Sequence, residues 1–174
     1  IFHGGCTLEA AEAVIDLDQF LTFWAMEIIV SHWDGYSGNT NNYWIYADPT
    51  SERVHFIPWG VDGTFRPPLQ LFEGREAPRS INAAGLLARR LYLHPEGQQL
   101  YLDRILSLLD AHWNPDDMKR RINEMVGVFD PAVPVNEIVG LTQALNQVRQ
   151  FIDTHGELIR TEIEQGPRVW RTPL

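Results

Sequence analysis

Asp34, Asn39 and Asp62 are the residues of this chain whose types and placement could do chemistry. Asp34 and Asn39 lie in one polar, glycine-rich stretch, His32-Trp33-Asp34-Gly35-Tyr36-Ser37-Gly38-Asn39-Thr40-Asn41-Asn42, and Asp62 stands further on, directly before Gly63. A hard cation such as Mg²⁺ takes oxygen ligands at about 2.1 Å and commonly uses one or two protein ligands plus substrate phosphates. One Asn and one Asp suit that demand, with Asp34 left free to act on a proton. His32 reads as a loop-bracing hydrogen bonder. Asn41 and Asn42 read as turn formers, with a supporting polar role open to Asn42. A calcium loop of the EF-hand kind is excluded, because positions three and five counted from Asp34 are Tyr36 and Gly38.

Those side chains need elements that bring them together. The stretch 17–30 is apolar nearly all round: Leu17, Leu21, Trp24 and Ile28 form a helical stripe, and Phe20, Phe23, Met26 and Ile29 fill the other faces. Such a helix is a buried one, and Asp16 or Asp18 is its candidate cap. Glu27 is the charge within its body, and burying it is costly without a partner. A shorter helix precedes it, with Thr7 as N-cap and Glu9 in its first turn. After the polar loop, Tyr43-Trp44-Ile45-Tyr46 and Val54-His55-Phe56-Ile57 flank Asp48-Pro49-Thr50-Ser51-Glu52, the pattern of an antiparallel hairpin. If its turn centres near residue 50, paired positions sum to about 100, and extending the ribbon places Asp62 beside the loop that carries Asn39. Trp33, Trp44 and Trp59 are expected to pack in the core and loops. Four helices follow, roughly Asn82–Leu93, Pro95–His112, Pro115–Val126 and Asn136–Glu164, and are read as packing. His55, His94, His112 and His155 are read as surface or capping residues.

Composition narrows the classes. The 174 residues are 44% hydrophobic and 21% charged, enough for a core and unlike a disordered acidic tail. Fourteen Lys and Arg against 23 Asp and Glu give a formal net charge of −9, which argues against nucleic acid and against an anionic membrane surface as partner. No run reaches the roughly 18 apolar residues of a membrane span. Cys6, the single cysteine, excludes an internal disulfide and a cysteine-based zinc site, and is expected to be a small buried hydrophobe. The abrupt opening at Ile1 and the ending at Leu174 read as a piece of a longer protein.

The order of these features matches a known template. Protein kinases carry H-x-D-x-x-x-x-N in their catalytic loop, the Asp accepting the hydroxyl proton and the Asn holding Mg²⁺, followed by a short hairpin and a metal-binding Asp. Here His32-x-Asp34 is followed by Asn39, then the hairpin, then Asp62-Gly63. More narrowly, the stretch from His32 to Tyr43 and the later Phe56-Ile57-Pro58-Trp59-Gly60-Val61-Asp62-Gly63-Thr64-Phe65 resemble the two signatures of the CotH family, the spore-coat-protein-H-like atypical protein kinases.

The resemblance implies an α+β fold: the large lobe of a kinase-like domain, with a core over residues 1–75 and a helical portion over 80–166. A nucleotide-clamping small lobe would precede Ile1, because Lys119, the sole lysine, is poorly placed for phosphates. The resemblance also implies ATP with Mg²⁺ or Mn²⁺, phosphoryl transfer to Ser or Thr of a protein substrate, and a spore-coat, secreted or cell-surface setting. Asp34 would be the catalytic acid, Asn39 and Asp62 the metal ligands, and His32, Asn42 and Gly63 their supports. The family often reads Trp-Asp-x-Asp where this chain has Trp59-Gly60-Val61-Asp62. The lost carboxylate keeps a non-catalytic surface or adhesion module open, and a metal-dependent hydrolase using the same carboxylates is a third reading.

Overall fold

The computed structural model describes residues 7–67, 78–129, 132–134 and 136–170; Cys6 and the two chain ends lie outside them. Helix α1 (Leu8–Glu12) starts where Thr7 accepts a hydrogen bond from the Ala10 N–H at 3.2 Å. Helix α2 (Leu17–Ile29) is the one around which the rest is packed. Asp16 caps it by accepting from the Gln19 N–H at 3.0 Å, which satisfies one of the orphan donors of the first turn. Its stripe Leu17, Leu21, Trp24 and Ile28 is buried, as are Phe20, Phe23, Ala25 and Ile29. Trp24 stacks on Tyr101 at a centroid distance of 3.7 Å, and its indole N–H finds the Asn82 carbonyl at 2.7 Å, so the buried polar handle of the ring is satisfied.

Strands β1 (Tyr43–Ala47) and β2 (Val54–Pro58) form a two-stranded antiparallel sheet in the register Tyr43↔Pro58 to Ala47↔Val54. The turn is organised by Asp48, whose carboxylate accepts from the Thr50 and Ser51 N–H groups and the Ser51 hydroxyl. Tyr43 and Phe56 share the inner face, their rings stacked, and Phe56 also meets Phe20, Phe23 and Tyr36. The outer edge of β2 is covered too. Val54 donates to Val14 O at 2.9 Å, Asp16 donates to Val54 O at 3.1 Å, and the Gln19 amide both accepts from Phe56 N–H and donates to its carbonyl.

At the hairpin the structure departs from two expectations. The ribbon does not run on to Asp62: its last rung is Trp59 N–H to Asn42 O at 3.0 Å, after which Gly60 takes φ +58° and the chain enters a 3₁₀ turn, Val61–Gly63. Left-handed backbone bends the strand out of the sheet. Nor do Trp44 and Trp59 pack in the core: each is 59% exposed, and they meet edge to face at 6.1 Å on the outer face of the hairpin. Period-two alternation sends Trp44 to the face opposite Tyr43 and Phe56.

Helices α3 (Leu86–Leu93), α4 (Pro95–His112), α5 (Pro115–Phe129) and α6 (Ile138–Glu164) complete the chain. Pro95 and Pro115 open theirs, where a missing N–H is harmless. His94 caps α4 by accepting from Gly97 N–H at 3.3 Å. Leu102, Ile105 and Leu109 of α4 and Ile159 of α6 complete the core around α2. His155 is neither a surface residue nor a cap: it is 1% exposed, stacked on Phe151 at 4.1 Å, with Nε2 3.3 Å from Ile28 O. The whole is mixed, helices with one small antiparallel sheet, and no helix of the described residues is long and apolar enough to cross a membrane.

Candidate functional site

The polar loop hangs on the C-terminal end of α2, and the helix itself holds it. The carboxylate of Glu27 is 3% exposed. Its Oε1 accepts the Tyr36 N–H and its Oε2 the Ser37 N–H, both at 2.8 Å. The partner that Glu27 needed is therefore the backbone of the loop. Burial pushes its pKa up to about 7, against the lowering effect of the Ser37 and Tyr36 hydrogen bonds. His32 is also buried. Its N–H donates to Glu27 O at 2.7 Å, its Nδ1 lies 3.8 Å from Glu27 Oε1, and its Nε2 lies 3.2 Å from Gly60 O. The ring ties the loop to the segment that leads to Asp62.

Further round, the loop closes on itself. Asn39 and Asn41 both donate their N–H groups to Gly35 O, at 3.0 and 3.3 Å. A side chain at Gly35 would overlap Glu27 Oε1 and His32 Nδ1, so close approach requires glycine there. Ser37 O accepts from Ala84 N–H at 2.8 Å and the Tyr36 hydroxyl from Leu87 N–H at 2.9 Å, which anchors the loop to the approach and first turn of α3.

Asp34 is half-buried and doubly held. Asn39 Nδ2 donates to its Oδ1 at 2.8 Å and Asn42 Nδ2 to its Oδ2 at 2.7 Å. The Asn39 amide first, then those of Asn41 and Asn42, hold its pKa below the ordinary carboxylate value. Each oxygen keeps acceptor capacity for a further donor. With its nitrogen turned to Asp34, Asn39 leaves Oδ1 without a protein partner among the described residues. Asn42 sits at φ +48°, a left-handed conformation Asn tolerates better than most residues.

Asp62 is exposed on the 3₁₀ turn and makes no hydrogen bond to Asp34, Asn39 or Asn42 among the described residues. The turn itself does reach the loop. A Cβ at Gly60 would lie 2.8 Å from Asn42 Oδ1, and one at Gly63 would lie 3.2 Å from Trp33 Nε1. The structure thus gathers Asp34, Asn39 and Asn42 by direct contact, ties His32 to Glu27 and Gly60 instead, and brings Asp62 to their margin by packing of its turn. No group of three His, Cys, Asp or Glu that could hold a metal occurs among the described residues. A cation here would need amide and phosphate oxygens as well as carboxylates. The donors present are all oxygen, which suits a hard divalent ion rather than a soft one. Beyond Asp62 opens a cleft of ≈ 700 Å³ between Thr64, Phe65 and Arg66 on one wall and Gln147, Val148 and Phe151 of α6 on the other. Glu27 stood out in sequence as the charge in the body of an apolar helix, past the first turn that holds Asp18. Its partners did not, being backbone groups.

With this geometry in hand, the chain can be placed. The family described as CotH kinase protein matches residues 8–170, and the chain belongs to it. Among individual proteins, it is similar to "Invasin CotH3" of Rhizopus delemar, 38% identical over 64 residues. That match covers 36% of this chain and 11% of the relative, so the chain spans only a small part of that protein's length.

Proposed function

We propose that this chain is the large-lobe part of an atypical protein kinase that moves a phosphoryl group from ATP to a Ser or Thr hydroxyl of a protein. The observation that carries the reading is the held carboxylate: Asp34 is fixed in place by two amide donors, on a loop anchored from inside the core. In this role Asp34 accepts a hydrogen bond from the acceptor hydroxyl through either oxygen, orients it for in-line attack and takes up the proton as the bond forms. Asn39, through its free Oδ1, and Asp62 would hold Mg²⁺ or Mn²⁺. When bound, that ion supplies charge neutralisation on the phosphates. His32, Asn42 and Gly63 keep loop and turn in mutual register. The cleft beside Asp62 offers an extended acceptor segment a place to lie. The small lobe that clamps the nucleotide would be supplied by sequence preceding Ile1, and a cell-surface or spore-coat setting fits the family.

The test is transfer of labelled phosphate from ATP with Mg²⁺ by the natural full-length protein. Asp34→Ala and Asp62→Ala are each expected to lower turnover by about 100-fold or more, while Asp48→Ala, in the hairpin turn, leaves it unchanged. Wild-type turnover in both site variants would refute the assignment.

A second reading, a non-catalytic adhesion module, is favoured by Gly60 in place of a carboxylate and by the exposed Trp44, Tyr46, Ile57 and Trp59 on the hairpin. Labelled phosphate released to water without labelled protein would point instead to a hydrolase.

A further inference from the structure

We propose that Glu27 is the positioning residue of this site, clamping the loop that carries Asp34 and Asn39 from inside the core. The inference rests on the kinase reading for its catalytic consequence, but the clamp itself stands on geometry. Both carboxylate oxygens are committed, one to each of two successive backbone N–H groups at 2.8 Å. Those amides belong to Tyr36 and Ser37, which lie between Asp34 and Asn39 in the chain. The clamp therefore sits at the middle of the loop and fixes the chain path on both sides. On one side Gly35, pressed against Glu27, gives its carbonyl to the Asn39 and Asn41 N–H groups. This sets the Asn39 amide within reach of Asp34. On the other side His32 passes from the Glu27 backbone to the Gly60 carbonyl, so the same anchor references the turn that bears Asp62.

The energetic setting argues that this is more than a fold brace. An ionised carboxylate in a core is destabilising even when paired. The groups that face Glu27 are His32 and the Tyr36 ring on the loop, and Tyr101 on α4, whose hydroxyl is turned to Ser80 O at 3.0 Å. No Lys or Arg is paired with it among the described residues. A neutral Gln of the same shape removes the buried charge, yet it offers one acceptor oxygen where two N–H groups wait. Fold stability and loop geometry are thus separable at this position, and the separation can be measured.

The experiment compares the natural full-length protein with its Glu27→Gln variant. Hydrogen exchange at the Tyr36 and Ser37 amides is expected to quicken at least about tenfold, the loss of a charge-assisted bond, while the melting temperature at pH 8 is not lowered. In the phosphate-transfer assay the variant is expected to lose about 100-fold in kcat, the effect of a misplaced reacting group, with KM for ATP within about twofold. Unchanged amide exchange refutes the clamp whatever the assay shows. Quickened exchange with unchanged kcat leaves a clamp without a positioning role and overturns the proposal. A kcat loss matched by a fall in melting temperature reduces it to a fold brace. If the wild type transfers no phosphate, the kinase reading fails, and the exchange measurement still decides whether Glu27 holds this loop.

Discussion

Gly60 shows how one residue can decide between readings. It occupies the left-handed region at φ +58°, and a side chain there would meet Asn42 Oδ1 at 2.8 Å. An Asp at this position has to adopt a conformation that costs a non-glycine residue about 1–2 kcal/mol and has to displace the amide that holds Asp34. Gly60→Asp is therefore expected to lower stability by about that amount and to leave phosphate transfer no faster, checked by chemical denaturation and the labelled-ATP assay. The Asp34 carboxylate gives a pH test. Its pKa is held down chiefly by the Asn39 amide, and its proposed role requires the ionised form. Removing that amide lets the pKa rise, so Asn39→Ala should move the acid limb of the pH–rate profile to higher pH. Asp34, Asn39 and His32 were nominated from type and spacing. Their mutual contacts were not legible, because a side-chain amide can face either way until its neighbours are known.

At the scale of elements, α2 does two jobs at its two ends. Its N-terminal turn closes the open edge of β2, where the Gln19 amide pairs with both backbone groups of Phe56. Gln19→Leu leaves that N–H and C=O without partners, and is expected to cost about 1–3 kcal/mol in denaturant unfolding. Its C-terminal end presents Glu27 to the loop. The apolar stripe of α2 and the β-branched, aromatic alternation of the hairpin fixed both elements in sequence to within a residue or so, and Pro95 marked the start of α4. The course of the chain after Trp59 was not legible. Continuing a ribbon is a matter of local pairing, whereas leaving it depended on Gly60 meeting Asn42 and His32, residues remote in sequence.

Across the whole molecule, two buried ionisable groups pull stability in opposite directions with pH. Glu27 has its pKa raised from 4.5 to about 7 by burial. Its folded state prefers the proton, so its contribution is fully present below about pH 4.5 and is lost as pH rises to about 7. His155 has its pKa lowered from 6.5 to about 4, also by burial. Its folded state prefers the neutral ring, so its contribution is present above about pH 6.5 and is lost as pH falls to about 4. Each effect is on the order of 3 kcal/mol, so over the shared window they nearly cancel. Melting temperature measured across this range should be almost flat for the wild type. Glu27→Gln should unmask stability that rises with pH, and His155→Gln stability that falls with it.

Local patterning was enough to place α2 and the hairpin and to nominate Asp34, Asn39 and Asp62 as candidates for chemistry, since helix stripe, strand alternation and turn residues each act over a few neighbours in the chain. The sequence likewise exposed Glu27 as a charge out of place. Only the tertiary structure decided which partners that charge takes and how Asp34 is held. Each of those depends on which backbone and amide groups lie within hydrogen-bond reach across the fold, and hydrogen bonds to backbone leave no trace in residue type.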